Sequence, residues 1–439
     1  MTGDQESWAR HRKVWRLAIP IILANLSVPL LGAVDTAVLG HLPHPRFLGG
    51  VALANSMFLF IFWGFGFLRM GTTGLAAQAM GSDDGGETRA VLARALLLAL
   101  FFGLILWLLQ SPLLALALEL FQASPESESE AGIYFHIRIW SAPAALANYC
   151  LLGWFIGVQN MRAALILQVL MNGINIALDL LFVVGLGMET AGVAAATAIA
   201  EVMAVAAGLV LVLKELTHMR GRLTRSAIFD RARIMRMLTL NRDIFIRTFL
   251  LIFAFVLFTA EGAKFGDGTL AANAVLLQFQ FFLAFGLDGF AHSAEALVGN
   301  ALGAGDRKEL AAWVRVTGLW ALVVALLYVI FYLLAGNLII DLLTGLEGVR
   351  EEARQFLPWV IASPFLSVWS YMLDGIFIGA TRSREMRNAM IASVAIYGAS
   401  LYLAQPVLGN HGLWLSLMVL MLARAATLLA YYPRISREI

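Results

Sequence analysis

Charge is what this chain has least of. Only 14% of its 439 residues are Asp, Glu, Lys or Arg, against about 25% in an ordinary soluble domain. Hydrophobic residues make up 60%, and the mean hydropathy is +0.79. No soluble core of this length needs so much apolar side chain, so the pattern excludes a soluble globular fold and leaves a polytopic membrane protein. Cysteine is almost absent. Cys150 stands alone inside an apolar run, which excludes an internal disulfide and argues against a thiolate metal site. The net charge of +2 is too small to attract nucleic acid. The opening "MTGDQESWARHRKVW" is polar and basic, and the run after it is too long for the apolar region expected of a cleavable signal. It reads as a cytoplasmic tail.

Long apolar runs are what the chain does have. Stretches of about 20 residues, enough to cross a bilayer core, fall near 15–40, 48–80, 90–110, 133–157, 164–187, 192–213, 244–265, 272–302, 312–335, 356–380, 389–405 and 412–432. The second and eighth exceed the bilayer thickness and are expected to tilt, bend or project. With the N-terminus inside, 23 of the 31 Lys and Arg residues fall on the cytoplasmic side and 4 outside, as the positive-inside rule requires. Both termini are then cytoplasmic. The longest connection, residues 214–243, is basic and lies halfway along the chain. A topological anchor joining two halves is favoured there over a patch for anionic headgroups.

The halves are related. "QAMGSDDGGE" (78–87) and "NALGAGDRKE" (300–309) match at a spacing of 222 residues, and "GWFIG" (153–157) falls on "GIFIG" (375–379) at the same spacing. The expected fold is an all-α integral membrane protein of twelve transmembrane helices, two six-helix bundles in parallel repeat. Its parts are a tail at 1–14, an N-lobe at 15–213, the linker 214–243, a C-lobe at 244–432 and a tail at 433–439.

Polar groups inside the spans carry the chemistry. An ionised acid in hydrocarbon is costly unless paired, hydrated or protonated, yet Asp35 lies in the first run. At about 1.5 Å per residue, Asp35, Asp179 and Thr197 share a level in the outer half of the membrane. Gln168, Asn172, Asn175 and Asp179 recur at steps of four, three and four, so they share one helix face within about 60°. That face is expected to look into the bundle or a water-filled cavity. Interhelical hydrogen bonding explains Gln168 or Asn172 as well as function does. It explains poorly two acids at one depth with no basic residue at their level. Two buried carboxylates cannot both stay ionised without a compensating cation, so the pair is suited to loading and releasing a proton or a monovalent metal ion. Pro20 removes a backbone hydrogen bond on the Asp35 helix. A hinge and a harmless first-turn proline both fit it.

"LAIPIILANLSVPLLGAVDTAVLGHL", "NGINIALDLLFV", "GVAAATAIAE" and "LDGFAHSAEALVGNALGAGDRKE" resemble the multidrug and toxic compound extrusion (MATE) family, the last of them its DNA-damage-inducible F (DinF) branch. The resemblance covers nearly the whole chain. It implies two six-helix lobes in a V and export of amphipathic, often cationic or aromatic small molecules in exchange for H+, with Na+ as the alternative ion. It places cation coupling on Asp35, Asn175, Asp179 and Thr197, the bending proline on Pro20, and cavity-lining amides on Asn148, Gln168 and Asn172. It implies a monomer in a bacterial inner membrane, with the bilayer and a small molecule as partners and no cofactor. The sodium-coupled branch is matched at Asp374, but no acid in the middle of span seven accompanies it.

Other polar residues read as structure. Asp288, His292 and Glu295 form a second one-face stripe, with Arg69 and Arg247 as expected partners, and an ion-pair network is favoured there over a second coupling site. Together with Asp374 they are expected to make a secondary polar network. His136 and Arg138 read as interface residues. Two other classes of function fit the residues less well. A flippase for lipid-linked precursors fits the two-bundle architecture but calls for a cavity rich in basic residues. An embedded enzyme lacks a second acidic cluster beside "GSDDGGE" to hold Mg2+, so no enzymatic activity is expected.

Overall fold

In the computed structural model, residues 3–40, 44–121 and 123–436 are described; Arg437, counted above among the cytoplasmic basic residues, lies outside them. Every apolar run is helical, and the twelve spans are α1 (Gln5–Gly40), α2 (Arg46–Gly81), α3 (Gly85–Leu108), α4 (Pro125–Gly157), α5 (Met161–Gly185), α6 (Glu189–Leu216), α7 (Arg225–Ala263), α8 (Asp267–Gly303), α9 (Arg307–Leu343), α10 (Glu347–Gly379), α11 (Ser383–Leu408) and α12 (Asn410–Ile435). Large apolar side chains remain exposed on them, such as Leu108, Leu334 and Val407 at 80% or more. A bilayer, not a protein core, solvates such surfaces.

The two overlong spans behave differently. The second breaks at Phe65–Gly66 into helices Pro45–Gly64 and Phe67–Gly81, whereas α8 runs unbroken for 37 residues. At about 1.5 Å per residue α8 outruns a hydrocarbon core of about 30 Å, so it must tilt or project. α4 is also interrupted, by a 3-10 turn at Ile139–Ser141 just ahead of Pro143, where a proline cannot donate its backbone hydrogen bond. α1 shows no break at Pro20; helix is continuous from Gly3 to Gly40.

The chain clusters into two compact units. One holds residues 23–235, and the other holds residues up to Ile22 together with those from Arg236 onward. α1 and α7 each contribute to both. Halves drawn from the sequence meet inside the linker, so the compact units differ from them by the heads of these two helices.

The 222-residue repeat is written into local geometry. Asp83 and Gly305 both take positive φ (54° and 67°), as do Gln159 and Thr381 (61° and 53°). Asp84 then caps α3 by accepting from the Glu87 N–H at 2.8 Å. Asp306 caps α9 by accepting from the Lys308 and Glu309 N–H groups at 3.0 and 2.9 Å. Glu87 is held by Arg94 and Arg233, and its counterpart Glu309 by Arg10 at 2.6 Å.

The repeated "GWFIG" and "GIFIG" have a packing reason. Gly153 and Gly157 on α4 press against the carbonyls of Arg69 and Thr73 on α2. Gly375 and Gly379 on α10 press against those of Ala291 and Glu295 on α8, the same partners displaced by the same interval. Small residues four apart let two membrane helices approach backbone to backbone. Gly157→Val and Gly379→Val are therefore each expected to destabilise the protein by about 1–3 kcal/mol. Gly173→Ala, with nothing near the added methyl, should be neutral. Thermal unfolding in detergent, followed by size exclusion, checks this; equal melting temperatures for all three would refute the close-contact account.

Candidate functional site

The site is built inside the unit of residues 23–235. α5 presents Asn172, Asn175 and Asp179 on its buried face, the stripe that their spacing implied. Asp179 is fully buried, at 0% exposure, and it ends the α-helical part of the span. A π-helical turn, Leu180–Gly185, follows directly, a feature often met at functional positions. Asp35 approaches from α1 and is only partly buried. The two carboxyl groups are in hydrogen-bonding contact, and the Oδ1 atom of each is buried with no donor among the described residues.

Asn175 and Thr197 complete the group. The Asn175 amide satisfies its surroundings when its NH2 donates to Asp179 Oδ2 at 2.6 Å and its oxygen accepts from the Thr197 N–H at 3.2 Å, with the Thr197 hydroxyl at 2.9 Å. All four expected coupling residues thus meet. The expected cavity amides lie alongside. Gln168 donates to Asn172 at 3.3 Å, Asn172 donates to Ser27 of α1 at 2.7 Å, and Asn148 donates to the Glu201 carbonyl at 2.9 Å. Pro20 is on the stretch of α1 that clusters with the other unit.

One expectation fails. The sequence suggested no basic residue at the level of the acids, yet the Arg138 charge acts on Asp35. Arg138 is not a mere interface residue: it donates to Asn55 at 3.0 Å and to the Tyr134 hydroxyl at 3.2 Å. It also pairs with Glu201 at 3.4 Å. Tyr134 donates to Asn55 at 2.9 Å. Sequence reasoning passed over Glu201, Tyr134 and Asn55. A signal was present: Glu201 lies one helical turn beyond Thr197, and Arg138 one turn beyond Tyr134, so each pair shares a face.

The other unit has a different polar centre. Asp374 is gripped by Arg247 and Arg424, all three buried, and Tyr371 lies in the fields of these groups and of Asp288. Glu295 is 3.8 Å from His292. A carboxylate held by two guanidiniums has its charge already compensated. At the interval of 222, Asp35, Asp179, Thr197 and Glu201 correspond to Leu257, Leu401, Val419 and Ala423. The carboxyl pair is therefore not duplicated.

Comparisons with known proteins agree with this architecture. The MatE family profile matches residues 20–181 and 244–403. DNA damage-inducible protein F of Escherichia coli (strain K12) is 44% identical over 425 residues, covering 96% of this chain and 92% of that protein. The probable multidrug resistance protein NorM of Thermotoga maritima is 25% identical over 438 residues, covering 96% and 92%. Among solved structures, an outward-facing multidrug resistance MATE transporter superposes with a TM-score of 0.89 at 19% identity, covering 98% of this chain and 96% of that one. A MOP superfamily transporter from Pyrococcus furiosus gives 0.87 at 19% identity, covering 97% and 96%. At that identity the structures speak for the fold.

The paired acids make a prediction about stability. An amide at position 35 faces Asp179 Oδ1 with a donor that no pH removes, and it takes away one of two facing charges. Asp35→Asn is expected to stabilise the protein by about 1–3 kcal/mol. The gain should grow with rising pH, because alkaline solution charges both acids of the parent protein and so deepens the repulsion that the amide removes. Melting curves across pH check this; a loss of stability at alkaline pH would mean that the carboxylates already have compensating partners.

Proposed function

The chain belongs to the MatE family of multidrug and toxic compound extrusion transporters, and from that premise we propose that it is an H+-coupled exporter of amphipathic, often cationic or aromatic small molecules. It is a multi-pass membrane transporter, not an enzyme. In this reading the coupling ion, with Na+ as the alternative, binds at Asp35 and Asp179, assisted by Asn175 and Thr197. Gln168, Asn172 and Asn148 line the substrate path, and Pro20 is the hinge at which α1, continuous in this structure, bends during transport. The six-span lobes 15–213 and 244–432 alternate access about the linker, in a monomer set in a bacterial inner membrane with cytoplasmic termini.

The observation that carries the reading is the contact between a fully buried and a partly exposed carboxyl group, each with an oxygen that no donor among the described residues satisfies. Asp35 is the accessible member where an ion arrives, and Asp179 is the member that holds it away from water. One proton shared between them satisfies both and removes their repulsion. Substrate that needs the acids ionised displaces that proton, so the two cargoes exclude one another at the same carboxylates. This is the linkage that exchange requires.

The driving force is adequate. One proton crossing about 100 mV releases roughly 2.3 kcal/mol, and each pH unit adds about 1.4 kcal/mol. For a monovalent cation exchanged one for one the electrical part cancels and the pH gradient alone drives export. Efflux measured in inverted vesicles tests the proposal. Asp35→Asn is expected to abolish efflux in a folded protein, and wild-type efflux is expected to stop when the pH gradient is collapsed in sodium-free buffer. Efflux by the variant at the wild-type rate would end the coupling role of Asp35. Efflux that outlasts the pH gradient and stops only on sodium removal would assign the ion to Na+.

A further inference from the structure

Beside the carboxyl pair, α2, α4 and α6 converge on one guanidinium. Arg138 Nη1 donates to Asn55 Oδ1 and to the Tyr134 hydroxyl, and Nη2 to Glu201 Oε1. The cation lies over the Phe58 ring, 4.7 Å from its centroid, with the Phe62 and Tyr134 rings at 5.8 and 5.7 Å. The second Glu201 oxygen accepts from the Ser141 hydroxyl at 2.5 Å. Asp35, Tyr134 and Glu201 all lie within the field of Arg138. Tyr149 lies in the fields of Glu201, Arg138 and Arg69. An arginine so held stays charged at every physiological pH.

From this we infer that Arg138 determines ion selectivity: it is a resident cation that occupies the neighbouring oxygen ligands and leaves the Asp35–Asp179 pair competent for a proton but not for sodium. The inference rests on the proposed coupling role of that pair.

Charge alone does not discriminate. A proton and a sodium ion each add one positive charge to the acids, and the guanidinium opposes both equally. Coordination does discriminate. A hard metal ion replaces its hydration shell with several oxygens at once, whereas a proton needs one carboxylate oxygen and is then shared with the facing one. Around the pair, the Asn175 oxygen already accepts from Thr197. The oxygens of Asn55, Tyr134 and Glu201 are turned to Arg138, the cation whose field reaches Asp35. A metal ion at the pair finds two carboxylates and too few further ligands, next to a fixed like charge.

Arg138→Met removes the charge and all its donors while keeping an unbranched, polarizable side chain over the phenylalanines. Arg138→Met/Glu201→Gln also removes the acid that would be left unpaired, and serves if the single variant does not fold. Purified full-length protein in weakly buffered detergent, with a pH dye, is given sodium chloride or choline chloride. Wild type is expected to release no protons specific to sodium. Either variant is expected to release protons on sodium addition, saturating with sodium, because the oxygens freed from Arg138 supply the further ligands that a metal ion needs. Adding Asp179→Asn should abolish that release. Folded variants that match wild type would overturn the inference, as would sodium-specific release from wild type itself. Failure of the underlying coupling reading looks different: the variants would release protons on sodium addition even with Asp179→Asn present.

Discussion

Two carboxyl groups that touch inside a membrane protein cannot both keep their charge unless something positive joins them. That constraint governs the half of this molecule where Asp35 and Asp179 meet. α5 brings Asp179 to full burial at the mouth of a π-helical turn, and α1 brings Asp35 against it from a less enclosed position. Asn175 and Thr197 fix the orientation of the buried acid. Arg138, with Glu201 as its counter-charge, supplies a permanent cation nearby without neutralising the pair. The group keeps excess negative charge and unsatisfied oxygens, the condition in which a mobile cation has somewhere to go.

The scaffold treats its two halves alike while the chemistry does not. Glycines four residues apart on α4 and on α10 meet equivalent carbonyls on α2 and on α8, and the same left-handed turns recur at the same interval. Backbone contact of that kind leaves no room for a side chain. Side chains that face the bundle interior are freer. The first half spends them on Asp35, Asp179 and Arg138. In the second, the equivalent positions are Leu257, Leu401 and Val360, and the polar centre is the Arg247–Asp374–Arg424 cluster. A carboxylate already neutralised by two arginines is a poor place to load an ion and a good place to tie three helices together.

Much of this was legible in the sequence because its causes are local. Apolar length marks the twelve spans, and the repeated Gly-rich motifs mark the duplication. The four-three-four spacing of Gln168, Asn172, Asn175 and Asp179 marks the buried face of α5, and depth counting brings Asp35 and Thr197 to Asp179. What was not legible depends on how helices turn toward one another. Arg138 lies near the predicted end of its span and looked like a residue reaching for the membrane surface; the break at Ile139–Ser141 and the approach of α6 direct it inward. Glu201 sat unremarked in an apolar run although it shares a face with Thr197. The π-turn after Asp179 has no sequence signature in "LLFVVG", a run that reads as ordinary helix. Tilting, bending or projecting were all open to the overlong spans; α2 breaks at Phe65–Gly66, whereas its equivalent α8 is one continuous helix.

Direct counting of protons tests the central claim most simply. A lipophilic cation such as tetraphenylphosphonium, added to purified protein in weakly buffered detergent, should displace the proton shared by Asp35 and Asp179. About one proton per bound cation is expected from wild type, falling to none in both Asp35→Asn and Asp179→Asn, because either amide dissolves the pair. Undiminished release from either variant would show that the two carboxyl groups do not act as one site.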